Sequence, residues 1–317
     1  MLYSLANTLN AFVTTPQQYF VLRFIAGIGL AGELGAGVTL VTEMLPRHLR
    51  GYGVMSIAAF GVLGVVAANL VANIFEWRNA YILGGVLGFL LLILRYGVKE
   101  STLFATISDD PKRGNIAMLF RSKERFLKYL NSIAIGVPLW YAVGIIVMFS
   151  PEIAKELHIR GSVTAGMSLM FCYIGLSAGD LASGYLSQKL ASRKRAYFIF
   201  LTLSLATVVY LYTLEGASSA HFYALMFAIG VFCGYWALFI TMAAERFGTN
   251  IRATVATTVP NFVRGSVVPI TSSFIALKAL YGTLEAVAII GVVVFGLGFY
   301  ALYKSEETFH KDLDYLE

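Results

Sequence analysis

The sequence predicts an all-α protein that crosses a membrane many times, and three observations carry that prediction. Of its 317 residues 58% are apolar and only 13% are charged, about half the ~25% charged share of a soluble domain. The apolar residues gather into runs of roughly 20 residues or more, enough to cross a hydrocarbon core of ~30 Å. Eighteen of the 24 Lys and Arg residues fall in alternate connections between those runs, the asymmetry that marks the cytoplasmic side of a polytopic chain.

Taken in order, residues 1–13 read as the latter part of one span, and full spans follow at 17–45, 52–75, 79–98, 127–149, 163–187, 196–214, 221–244, 254–281 and 284–303. About ten membrane segments result. Arg47 and Arg50 mark the first cytoplasmic turn. Arg95, Lys99, Lys112, Arg113, Arg121, Lys123, Arg125 and Lys128 crowd the next, and Lys189, Arg193, Lys194 and Arg195 the one after. Arg246 and Arg252, then Lys304 and Lys311, complete the set; the opposite connections hold only Arg78, Lys155, Arg160 and Lys278. The polar 99–126 connection divides the chain. The expected organisation is an N-terminal helix bundle over 1–98, a cytoplasmic linker over 99–126, a six-helix bundle over 127–303 and a cytoplasmic tail over 304–317. The membrane expected is the cytoplasmic (inner) membrane of a bacterial-type cell, and the expected oligomeric state is a monomer.

The net charge of +6 does not indicate nucleic acid, because the basic residues sit in short clusters between apolar runs and form no continuous basic face. Cys172 and Cys233 lie in separate spans without third or fourth ligands, which excludes a zinc site or a disulfide framework. His48, His158, His221 and His310 fall near helix ends or in connections with no metal spacing. No metal, cofactor or catalytic constellation is expected. The partners implied are the bilayer, a small solute and a proton.

The string Gly27-Ile28-Gly29-Leu30-Ala31-Gly32 matches G-x-G-x-x-G, but it lies inside an apolar run and not between a strand and a helix, so a dinucleotide turn is excluded. Small residues four apart let helices approach closely. Gly27/Ala31/Gly35, Gly84/Gly88, Gly175/Gly179 and Gly230/Gly234 are the expected contact faces.

Ionisable groups at membrane depth are costly, about 2.5–3.5 kcal/mol each at a helix centre, so Glu33, Asp180 and Arg264 are expected to face a cavity or one another. Arg264 shares one helix face with Thr257, Asn261, Val268 and Thr271, with Pro260 and Pro269 on either side. Its guanidinium either grips an anionic solute group through its planar fork or pairs with a carboxylate on another helix. Glu33 shares a face with Ala26, Leu30 and Gly37, and is either a proton carrier or a neutral packing carboxyl. Asp180, on a stripe with Tyr173, Ser177 and Gly184, is expected in structural, gating or proton-carrying work. Trp140-Tyr141 and Tyr235-Trp236 are candidate solute contacts or ordinary packing.

Arg23-x-x-x-Gly27-x-Gly29-x-x-Gly32, followed by Glu43-x-x-Pro46-Arg47-x-x-Arg50-Gly51, resembles the fourth helix and following turn of the major facilitator superfamily. Trp77-Arg78, Leu94-Arg95 and the stretch from Glu100 to Phe104 are similar to its metabolite:proton symporter branch. Gly184-x-Leu186-Ser187-Gln188-Lys189 with Arg193-Lys194 resembles a degenerate second copy of the signature loop, with Gln188 where an acid is usual. The resemblance implies a two-bundle fold of twelve helices, of which the first two and part of the third would precede Met1, and alternating access. It implies that Arg23 pairs with an acid on helix one; Arg23, Glu33 and Asp180 are the candidate residues for proton coupling. It further implies that Glu43, Arg47 and Arg50, with Glu245 and Arg252 in the second half, form cytoplasmic charge relays. The absence of proline in 52–75 sets the chain apart from efflux branches. The function expected is proton-coupled uptake of a small organic acid or zwitterion, with Arg264, Asn261, Trp140, Tyr141, Tyr235 and Trp236 around the solute. Efflux or antiport, or a non-transporting membrane sensor, assembly partner or inactive fragment, are the alternatives.

Overall fold

The computed structural model describes residues 1–33, 37, 45, 50–95, 116–309 and 311. Glu43, Arg47 and most of the 99–126 linker lie outside them, and so does the Arg50 side chain. Helices dominate, and no strand occurs among the described residues; a lone bridge joins Arg160 to Ser218. Among the described residues seven helical segments are long and apolar enough to cross a membrane, and the chain is a multi-pass membrane protein.

Helices α1 (Leu2–Asn10), α2 (Pro16–Ala31), α3 (Arg50–Ile74) and α4 (Trp77–Arg95) make up the first part. The start of α2 is written locally: Pro16 occupies its first turn, where the missing N–H costs nothing, and the Thr15 side chain accepts the Gln18 N–H. Helix α1 lies on α2 and α4 through small residues. A side chain grown on Gly84, Gly85 or Gly88 would strike Asn7, Thr8 or Ser4 of α1, so Gly84/Gly88 is a contact face as expected. On α2 the contact glycine is Gly29, whose missing Cβ leaves room for the Tyr3 backbone, whereas Gly27 faces open space. Of the other two residues in the Gly27/Ala31/Gly35 repeat, Ala31 meets Asn261 through its carbonyl, and Gly35 lies outside the described residues.

The second part begins with α5 (Lys123–Tyr141), which runs on through a π-helical turn over Ala142–Val147 into the short α6 (Ser150–Glu156). Then come α7 (Ala165–Lys189), α8 (Arg193–Leu211), α9 (Ser219–Cys233), α10 (Trp236–Glu245), α11 (Thr249–Gly265), α12 (Val267–Tyr281) and α13 (Thr283–Lys304). Helix α8 starts three residues before the apolar run because Ser192 caps it, accepting the Arg195 N–H at 3.1 Å.

Two runs expected as single helices are broken. The 221–244 run stops at Cys233 and resumes at Trp236. Gly234 at the joint has φ −72° and ψ 58°, the geometry of an inverse γ-turn, and the Tyr235 N–H donates to the Cys233 carbonyl at 2.8 Å. The 254–281 run is interrupted at Ser266, three residues before Pro269, whose ring nitrogen has no hydrogen to close the ladder there. Hydropathy records depth and is blind to both breaks.

The centre of the second part is a backbone-to-backbone contact between α7 and α9. A Cβ on Gly175, Gly179, Gly230 or Gly234 would collide with main-chain atoms of the facing helix, so both glycine pairs do the work expected of them. Around this seam packs a continuous apolar core that includes Tyr141, Cys172, Tyr197, Phe222, Phe239 and Phe295. The two parts of the chain meet along α3 and α7, where the Ser177 hydroxyl donates to the Ala59 carbonyl at 2.9 Å. They also meet at α11, where Asn261 Nδ2 donates to the Ala31 carbonyl at 2.8 Å.

Candidate functional site

The aromatic and charged residues singled out in the sequence divide into one cluster and several separate settings. Helices α5, α10 and α11 bring Trp140, Trp236 and Arg264 together. The Arg264 guanidinium carbon lies 5.4 Å from the Trp140 ring centre, within cation–π range. Trp140 meets Trp236 edge-on at 5.9 Å and 76°, and Trp236 lies against Phe239 at 5.3 Å. Among the described residues Arg264 has no carboxylate partner and no hydrogen bond. The Trp140 indole N–H is buried and unpartnered as well. A half-buried cation and an unused donor thus sit side by side at membrane depth. One turn away on α11, Asn261 is engaged with the Ala31 and Thr257 carbonyls, each at 2.8 Å.

Tyr141 and Tyr235 point elsewhere. The Tyr141 hydroxyl donates to the Val287 carbonyl at 2.6 Å and its ring meets Phe295, which places it between α5 and α13. Tyr235 meets Tyr197 with ring centres 4.5 Å apart and planes tilted by 53°. Asp180 is fully buried, with Oδ1 accepting the Ala237 N–H at 3.0 Å, and no ion pair joins it to Arg264. Glu33 lies exposed just beyond α2. Arg23, also exposed, donates from Nε to the Tyr19 hydroxyl at 2.9 Å and from Nη2 to that of Tyr81, with both rings about it.

At the end of the second part that carries Lys189, Glu245 and Lys304, a charge cluster is assembled around Glu245. Arg193 Nη2 reaches Glu245 Oε1 at 3.2 Å and its Nη1 donates to the Ser187 hydroxyl at 3.1 Å. The Thr308 hydroxyl donates to Glu245 Oε2 at 2.7 Å. Glu307 completes the cluster by accepting the backbone N–H groups of Arg193 at 2.9 Å and Lys194 at 3.3 Å and the Ser192 hydroxyl. A carboxylate at the N-terminus of α8 is favoured by the helix dipole as well. Arg252 sits in the first turn of α11. Sequence reasoning found Glu245 but missed Glu307 and Thr308. The Ser192 cap advertised a helix start needing acceptors, but nothing local says that an acceptor arrives from the tail.

Burial pushes the Glu307 carboxyl up, but hydrogen bonds from Ser192 and from the Phe309, Arg193 and Thr308 amides outweigh it and hold the group below its ordinary value. A carboxyl held low in the folded state adds stability above its unfolded pKa and loses it as pH falls through the folded value. The melting temperature is therefore expected to fall more steeply between pH 6 and pH 3 in the wild type than in Glu307→Gln. Equal slopes in a thermal scan would exclude this coupling.

Comparison with known proteins agrees with the fold. The family model described as Major Facilitator Superfamily matches residues 1–272. A putative niacin/nicotinamide transporter of Bacillus subtilis is 25% identical over 283 residues, covering 83% of this chain and 66% of that one. An inner membrane metabolite transport protein of Escherichia coli is 26% identical, covering 80% and 62%. A benzoate transport protein of Acinetobacter baylyi is 22% identical, covering 80% and 61%. The chain thus spans less than two thirds of each of these relatives' lengths. The solved structure of a major facilitator superfamily transporter, FucP, in the outward conformation superposes with a TM-score of 0.66 at 13% identity, covering 96% of this chain and 81% of that one.

Proposed function

The chain belongs to the major facilitator superfamily, and from that premise we propose that it serves proton-driven uptake of small aromatic or heteroaromatic carboxylates, with Arg264 holding the carboxylate. The observation that carries the reading is the guanidinium of Arg264, kept at membrane depth over Trp140 without a carboxylate among the described residues. Placing a cation there costs about 2.5–3.5 kcal/mol. An anionic solute that arrives with its own charge offsets that cost only while bound, which is what a carrier needs.

The chemistry around Arg264 narrows the solute. The planar fork matches a carboxylate, the Trp140 indole N–H supplies a second donor, and the faces of Trp140 and Trp236 suit a flat ring. Relatives named for niacin and for benzoate handle solutes of this shape. Both acids are anions at neutral pH, so import against a negative interior requires a cation to accompany them. One proton travelling with one monoanion moves no net charge, so the pH difference drives accumulation, ~1.4 kcal/mol or about tenfold per pH unit. The two bundles are the natural rocking units, the Arg193–Glu245–Glu307 cluster a clasp between helices of one of them, and the basic connections support a cytoplasmic tail.

Uptake of radiolabelled nicotinate and benzoate into proteoliposomes with an imposed inward proton gradient tests this, after subtraction of protein-free vesicles. Accumulation that collapses with a protonophore is expected. Gradient-independent equilibration, or movement only outward, would overturn proton-driven import.

A further inference from the structure

The joint between α9 and α10 leaves the N–H groups at the start of α10 without partners in their own helix, the situation of any helix start. The acceptor that meets one of them comes from a different helix. Asp180 Oδ1, on α7, takes the Ala237 N–H at 3.0 Å. It reaches the joint because Gly179, the preceding residue, lies directly against Val231 and Gly234. Asp180 is 0% exposed, and its second oxygen, Oδ2, is buried with no hydrogen-bond partner among the described residues.

Among the described residues no charged side chain pairs with this carboxyl. The groups nearest along the packed helices are Tyr173 on its own helix, Cys233 at the end of α9, Tyr235 at the joint and Tyr197 on α8, while the charged Lys189 of α7 and Glu245 of α10 lie at the helix ends, Glu245 paired with Arg193 of α8. The cations on neighbouring helices are committed elsewhere, Arg193 to Glu245 and Arg264 over Trp140. An ionised carboxylate in this position has the Ala237 and Trp236 amides and the positive end of a short helix to hold it. The neutral acid needs less solvation than the carboxylate.

We propose that Asp180 is the binding site of the coupling proton, and that protonation releases the cap on α10 so that this half-helix turns about Gly234. In this step a proton adds to Oδ2, the carboxylate becomes a carboxylic acid, and the charge-assisted bond to Ala237 weakens to a neutral one. The movement has a direct route to the solute. Trp236 is the first residue of α10, it meets Trp140 at 5.9 Å, and Trp140 carries Arg264 at 5.4 Å. Turning α10 moves the aromatic floor beneath the cation. The inference rests on the carrier reading above for its purpose, but the site itself does not need that reading.

Two measurements test it. In the Trp77→Phe/Trp140→Phe protein, Trp236 is the sole tryptophan and reports on the joint. Its emission in reconstituted vesicles is expected to follow a one-proton titration between pH 5 and pH 9 that is absent when Asp180→Asn is added. No titration, or the same titration with asparagine, would overturn the site. In the otherwise native protein, Asp180→Asn keeps an oxygen to cap α10 but cannot take a proton. Exchange of labelled for unlabelled benzoate across vesicles without a gradient should stay within about threefold of wild type, and gradient-driven accumulation should fall to the no-gradient level. Accumulation by Asp180→Asn equal to wild type would reduce the residue to a structural cap and sink the proposal. If the wild type moves neither nicotinate nor benzoate while the Trp236 titration depends on Asp180, the solute assignment fails and the proton site stands.

Discussion

Arg264→Ala is expected to slow accumulation of aromatic acids by about a hundred-fold or more at subsaturating concentration. Two charge-assisted hydrogen bonds to a carboxylate, each worth ~1.5–3 kcal/mol, are lost together. The same substitution should leave the melting temperature unchanged or raise it. The two roles open to this arginine separate on that second measurement. Were it one arm of a buried ion pair, removing it would strand the other arm and cost about 3–5 kcal/mol of stability. A cation without a carboxylate among the described residues has no arm to strand, and its removal relieves a desolvation cost. Arg264→Lys should fall between, since it keeps the charge and loses the fork. Uptake assays beside thermal denaturation in detergent decide the matter: a large fall in stability with alanine would make Arg264 a structural residue.

Gly179→Leu should not yield folded protein. Its side chain would be driven into the Val231 carbonyl and the Gly234 backbone, and neither main chain can move aside as a flexible side chain does. Helices α7 and α9 would have to part along the seam formed by Gly175, Gly179, Gly230 and Gly234, and the neighbouring Asp180 would be drawn off the Ala237 amide. Overpacking of this kind costs ~1–3 kcal/mol even where side chains can adjust, and more is expected here, set against a net stability of about 5–15 kcal/mol. Gly27→Ala is the control. It faces open space, so it should be neutral or stabilising by up to ~1 kcal/mol through helix propensity. Size-exclusion profiles of detergent extracts report both. A monodisperse Gly179→Leu peak with wild-type yield would show that the seam is not a close contact.

Depth was legible in the sequence because it is a property of one segment at a time. An apolar run states that a stretch is submerged. Gly175/Gly179 and Gly230/Gly234 could be read because close approach requires small residues at that period whatever the partner is. The choice between Gly27 and Gly29 could not, since it depends on Tyr3 arriving on one face of α2. The joint at Gly234 stayed hidden inside an uninterrupted apolar run, and its acceptor lies on another helix, at Asp180. For the site, a charge at depth and nearby aromatic pairs were enough to single out Arg264, Trp140 and Trp236. Which ring the guanidinium covers, and that Tyr141 and Tyr235 turn toward Val287 and Tyr197, are outcomes of packing among helices far apart in the chain.

The docking of residues 305–309 has a mechanical consequence. Lys194 grips the carbonyls of Tyr303 and Ser305 at 2.9 and 2.8 Å, Glu307 holds the first amides of α8, and Thr308 holds Glu245 at the end of α10. The exits of α8, α10 and α13 are thereby strapped to one another, so none of the three can pivot at that edge independently. A turn of α10 about Gly234 therefore carries the adjoining ends of α8 and α13 with it.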